Sequence, residues 1–154
     1  GNYSLALQLF VILMILPMII YKYLLPQDAS GESNRKLRYI TMLLSVGITV
    51  LGIVLFPYII PNFFPKFIYA IDAIEIMSVA IIPATLTLLC TSKLLGLEKS
   101  KFILITDIIS TSILIGGFII LGPIFGIMGL AGVFVFSVTL EATLLFCITK
   151  IKKF

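Results

Sequence analysis

Two carboxylates stand inside long apolar runs of this 154-residue chain, Asp107 and Glu141. An ionised acid at the centre of a hydrocarbon layer costs about 2.5–3.5 kcal/mol on insertion scales, so acids in such runs face a protein interior or a wet cavity and serve a purpose there. Both have polar neighbours at helical spacing. Asp107 shares a side with Ser110 and Thr111, and Glu141 shares one with Ser137. Asp107, Ser110, Ser137 and Glu141 are therefore the candidate substrate or ion pathway. Glu141, nearer the middle of its run, reads as part of a polar cavity, relay or substrate contact. Asp107 lies closer to the end of its run, where it can snorkel or pair with Lys101 or another Lys at that end. Asp72 and Glu75 fall at an interface that water reaches, and their expected role is ordinary solvation.

Catalytic chemistry finds little purchase. The chain has no His to act as a base and only two Cys, Cys90 and Cys147, so neither an acid–base pair nor a soft-metal site is expected. No nucleophile elbow is present, and the glycines have no strand–glycine–helix context for cradling phosphate. The reading is of a protein that is not an enzyme and carries no cofactor and no metal. Both cysteines fall near cytoplasmic ends of their runs, where thiols stay reduced, so no disulfide is expected.

The elements that must position these acids are long apolar helices. Hydrophobic residues make up 60% of the chain and charged ones 12%, with a mean hydropathy of +1.22. A soluble domain keeps about a quarter of its residues charged. Five stretches, 5–25, 39–60, 73–92, 102–122 and 129–149, each supply the roughly 20 apolar residues that cross a bilayer. None alternates with period two, which excludes a barrel. The expected class is an all-α integral membrane protein of five transmembrane helices.

Charge sets its orientation. Lys22, Arg35, Lys36 and Arg38 fall in the first gap; Lys93, Lys99 and Lys101 in the third; Lys150, Lys152 and Lys153 in the tail. Lys66 alone falls on the other side. Basic residues stay in the cytoplasm during insertion, so the N-terminus is expected outside and the C-terminus inside, in a multi-pass protein of the cell membrane. The formal charge of +4 is then explained by topology and by membrane lipid, and nucleic acid is not an expected partner. All six tyrosines sit at span ends as interfacial anchors.

Pro17 and Pro83 lie well inside their spans and predict helix kinks, because proline lacks an amide donor and clashes with the preceding turn. The loop from Pro26 to Lys36 reads as a flexible polar turn. Residues 61–71 read as a short aromatic segment in the outer interface. The tight gap after Gly122 predicts an antiparallel hairpin of the last two helices. Its small residues, from Gly116 and Gly117 to Ala131 and Gly132, would let the backbones approach closely. An odd number of spans starting outside suggests the C-terminal piece of a longer protein.

The order of these features resembles a known family. ALQLFVILMILPMIIYKYLLPQDASG resembles a helix of the polysaccharide flippases that ends in Leu-Pro and a short Ser/Gly loop. VLFPYIIPNFFPKFIYAIDAIEIMSVAIIPATL resembles their next two helices, joined by an aromatic outer turn. LGLEKSKFILITDIISTSILIGGFIILGPIFGIMGLAGVF resembles their last hairpin, with its G-x-x-K cytoplasmic turn and fG-x-x-G-x-A-G reversal. The family is the oligosaccharide-flippase branch of the superfamily that also holds the multidrug and toxin extrusion transporters.

The resemblance implies the last five helices of a twelve-helix, two-lobe transporter, with the N-terminal lobe as a partner. It implies that the whole moves a polyprenyl-linked oligosaccharide across the membrane by alternating access for cell-surface polysaccharide biosynthesis. Cationic contacts to the substrate's pyrophosphate would then lie in the other lobe or at the cytoplasmic rim, at Lys22, Lys93 and Lys101. A cation-coupled multidrug exporter of the same superfamily and a non-transporting membrane scaffold subunit are the alternatives.

Overall fold

The computed structural model describes residues 2–32 and 34–151, with Asn2 described by its backbone alone. Lys152 and Lys153 of the basic tail, and Ser33 of the first loop, lie outside the described residues. Every element among the described residues is helical: α1 (Asn2–Leu13), α2 (Ile15–Ala29), α3 (Arg35–Phe63), a 3₁₀ turn (Pro65–Ala70), α4 (Ile71–Val79), α5 (Ile81–Gly96) and α6 (Ser100–Ile151).

Prolines set two of the breaks. Pro17 has no amide hydrogen to give the carbonyl of Leu13, and α1 ends at that residue. The chain bends there by 46° before α2 resumes. Pro83 likewise offers nothing to the carbonyl of Val79, where α4 ends, and Ala80 donates to Met77 with a tightened turn at 3.0 Å. This second break is milder, and Pro65–Gly96 still reads as one 32-residue span. Ala80 and Ile81 are fully buried, so packing on the flanking turns restrains the bend. Residues 61–71 divide between the last turn of α3 and the 3₁₀ turn that Pro65 starts.

Helix α6 runs for 52 residues with helical backbone angles everywhere except Gly126, at φ 62° and ψ −138°. L side chains avoid that conformation, and it turns the chain back on itself. The two arms then lie antiparallel. A Cβ on Gly117 would come within 2.5 Å of Val133 Cγ1, and Ser110 reaches Glu141 across the hairpin. The small residues do not all serve this approach, since Gly116 and Gly132 face open space.

Three stretches are long and apolar enough to cross a membrane: Arg35–Phe63, Pro65–Gly96 and Ser100–Ile151. The bent pair α1–α2 makes a fourth if taken as one span. The difference from the five expected stretches lies in α6, whose two arms meet at Gly126 without an intervening loop.

The core forms three clusters along the bundle. Ala6, Ile60, Ala73, Met77 and Ala131 fill the end where α1 begins. Met14, Ile48 and Ile81 fill the middle. Cys90, Leu94 and Leu145 fill the other end, with Phe102 against them. The α4–α5 limb runs through the centre, with half of its most apolar window buried, against 11% for α6. Helix α6 accordingly exposes Ile108, Ile115 and Ile119 along a flank. Ring contacts tie α1 to it, Tyr3 to Phe118 and Phe10 to Phe134, both edge to face. Tyr3 thus packs on a neighbouring helix, whereas Tyr23, Tyr39, Tyr58 and Tyr69 are exposed rings.

Candidate functional site

Glu141 sits half-buried on the second arm of α6, and its Oε2 accepts a hydrogen bond from Ser110 Oγ on the first arm at 2.9 Å. Ser137, one turn earlier on the same face, donates to the Ser110 carbonyl at 3.4 Å. The hairpin thereby joins three of the four candidate pathway residues. Asp107, one turn before Ser110, is exposed and near enough for its charge to act on the Glu141 carboxyl. The pairing considered for Asp107 with Lys101 is not formed. The two line one shallow groove with Ser100 and Leu104, yet the ion pair among the described residues is elsewhere.

Glu141 also lines an apolar groove of about 320 Å³. Its walls are Phe10, Met14 and Met18 from the bent α1–α2 limb, and Thr87 and Leu88 from α5. Thr87 also lines the groove, with its Oγ1 buried behind the surface and without a hydrogen-bond partner. The break at Met14 borders the groove directly. The break at Ala80 stands one turn before Ala84, which also lines it.

A second polar cluster lies at the end of the bundle where α2 and α5 finish and α3 begins. Arg38 Nη2 pairs with Asp28 Oδ2, which also accepts from Ser92 Oγ, and Arg38 Nη1 donates to the Leu89 carbonyl at 2.9 Å. The side chains of Asp28 and Arg38 are 5% and 18% exposed. Three helices are clamped by one ion pair. The approach is so close that a Cβ on Gly96 would lie 2.6 Å from the backbone of Asp28.

The helix ends around this clamp are capped locally. Asn34 Oδ1 accepts from the Leu37 amide at the start of α3. Helix α2 ends with Glu32 N–H on Gln27 and Gly31 N–H on Asp28, and α5 ends with Lys99 N–H on Leu94 and Glu98 N–H on Leu95. Both are Schellman endings, with the left-handed residue at Gly31 in one and at Glu98 in the other.

The basic residues gather at this same end. Arg35, Arg38 and Lys93 line one recess, and Lys150 stands over the Phe146 ring beside it, while Lys66 is at the far end in the 3₁₀ turn. Of the three rim lysines singled out from sequence, Lys93 faces this recess, Lys101 faces the Asp107 groove, and Lys22 is exposed on α2. Sequence reasoning missed Arg38 and Asp28 as a site. Ten positions separate them across a loop, and no helical spacing links them. Among the described residues no group of three or more His, Cys, Asp or Glu side chains is placed to hold a metal ion. No protein-family model, curated protein or solved structure matches this chain.

Proposed function

We propose that this chain is part of a membrane transporter that moves lipid-linked oligosaccharide across the cell membrane, crossing it five times with the basic end in the cytoplasm. The observation that carries the reading is the Glu141 groove. It is an apolar groove with a carboxyl-bearing residue in its wall, bordered by two proline-linked breaks in the helices that form it. Secondary transporters form their substrate and ion sites from broken helices, around which one bundle rocks against the other. In this reading the arms of α6 are the fourth and fifth crossings, and each arm of about 25 residues spans the hydrocarbon with length to spare. The exposed aliphatic flank of α6 is left for lipid or for a second lobe. The cytoplasmic cations, Lys93 among them, attract the phosphates of the carrier lipid to the mouth.

Glu141 itself favours a second reading, a cation-coupled exporter of amphipathic drugs. A carboxyl beside Phe10, Met14 and Met18 suits a cationic amphiphile better than an anionic pyrophosphate. One experiment separates them. With Glu141→Gln in the intact transporter, outer-leaflet delivery of glycolipid and efflux of cationic drugs are measured side by side. The flippase reading expects glycolipid delivery to fall. Normal delivery together with abolished drug efflux would sink it in favour of the exporter.

A further inference from the structure

The recess at the basic end is distinct from the Glu141 groove. It has a volume of about 260 Å³ and lies among the start of α3, the last turns of α5 and the end of α6. Arg35, Arg38 and Lys93 line it, and no acidic side chain does. Asp28 neutralises one of the three charges from behind, through the Arg38 pair, so the recess keeps two. Arg38 is held rigidly by Asp28 and the Leu89 carbonyl, while its buried Nε lacks an acceptor. The rest of the lining is Leu86, Leu89, Cys90 and Phe146, with Thr149, whose hydroxyl donates to the Leu145 carbonyl. Fixed cations beside Leu86, Leu89 and Phe146, which the proposed five-span topology puts where helices leave the hydrocarbon, match a phosphate with an acyl chain attached. Basic pockets between transmembrane helices on the cytoplasmic side bind anionic head groups for that reason.

We propose that this recess is a binding site for an anionic membrane phospholipid, with its phosphate against Arg35, Arg38 and Lys93 and the start of an acyl chain on Leu86, Leu89 and Phe146. The site does not depend on what the Glu141 groove carries. It holds the ends of α3, α5 and α6 together in the presence of anionic lipid.

The test is lipid retention by the full chain in nonionic detergent, followed by native mass spectrometry during titration with phosphatidylglycerol or phosphatidylcholine. Phosphatidylglycerol is expected to be retained preferentially. The pair Arg35→Ala with Lys93→Ala, which leaves the Arg38–Asp28 clamp intact, is expected to weaken that retention about 30-fold. The charge-conserving pair Arg35→Lys with Lys93→Arg is expected to retain it. Leu86→Trp, which fills the apolar floor without touching charge, is expected to weaken phosphatidylglycerol and guards against loss of fold in the double variant. Equal retention of both lipids, or unchanged phosphatidylglycerol binding in the alanine pair, would overturn the proposal. So would full displacement by millimolar inorganic phosphate, since that would make the recess a plain anion site to which the acyl chain contributes nothing.

Discussion

Asp28 and Glu141 are both carboxylates withdrawn from solvent, and the structure treats them in opposite ways. Asp28 has a cation, a hydroxyl and a neighbouring backbone packed around it, and its side chain is nearly inaccessible. Glu141 has one hydroxyl, and no ion pair among the described residues reaches it. It stays half-exposed on the wall of an apolar groove. A carboxylate surrounded by compensating partners is committed to holding helices together. A carboxylate left with spare hydrogen-bonding capacity beside an open cavity is available to a ligand or a proton. The contrast separates a carboxylate that holds helices together from one left open, although by hydropathy it is Glu141 and not Asp28 that stands out.

The largest test of that contrast is Asp28→Ala. It leaves Arg38 partly buried without its counter-charge, and about 3–5 kcal/mol of stability is expected to be lost. Unfolding followed by circular dichroism in detergent measures it. Replacing Arg38 by Ala in the same chain should restore part of the loss, because the orphaned charge is then gone. An additive double variant would show that the pair is not the clamp.

Gly96→Ala probes the same clamp without touching charge. The added Cβ meets the Asp28 backbone and not a movable side-chain tip, so overpacking by about 1–3 kcal/mol is expected despite the better helix propensity of Ala. Unfolding by the same method reads it, and a stabilised variant would mean that α2 and α5 are further apart than described. Glu98→Gly should act in the other direction. Glu98 holds a φ of 58° at the end of α5, where Gly31 takes the equivalent position after α2, and relief of that conformation is expected to add about 1 kcal/mol. A melting temperature unchanged by this substitution would place the α5 ending outside the cooperative unit.

Glu141→Gln is expected to have the smallest effect on stability, below about 1 kcal/mol, because the amide oxygen can still accept from Ser110. Its effect should fall on transport. A large stability loss at Glu141, comparable to that at Asp28, would erase the distinction between the two acids.

The helical class was legible from composition, and the hairpin was legible from the tight gap after Gly122. The orphaned carbonyls near Pro17 and Pro83 follow from the chemistry of proline, but Pro57 and Pro61 lie inside an unbroken α3, so which proline interrupts its helix was not legible. How far each helix bends was not legible. That depends on packing around Met14 and around Ala80, which residues distant in the chain supply. Of the candidate pathway, Asp107, Ser110, Ser137 and Glu141 were found because intramembrane acids and their i±3 or i±4 neighbours are readable on one helix. That Ser110 serves Glu141 became visible only when the reversal at Gly126 set the two arms side by side.

The clamp was not readable at all. Asp28 looked like one polar residue in a loop of them, and Arg38 like one cation in a basic cluster. Sequence alone determined what is set by local chemistry: helices from apolar length, carbonyls orphaned by proline, a reversal from the tight gap after Gly122, and the grouping of cations between the apolar stretches. Tertiary structure decided which of two acids is satisfied and which is left open, because a carboxylate's partners come from other helices and are paid for by their packing.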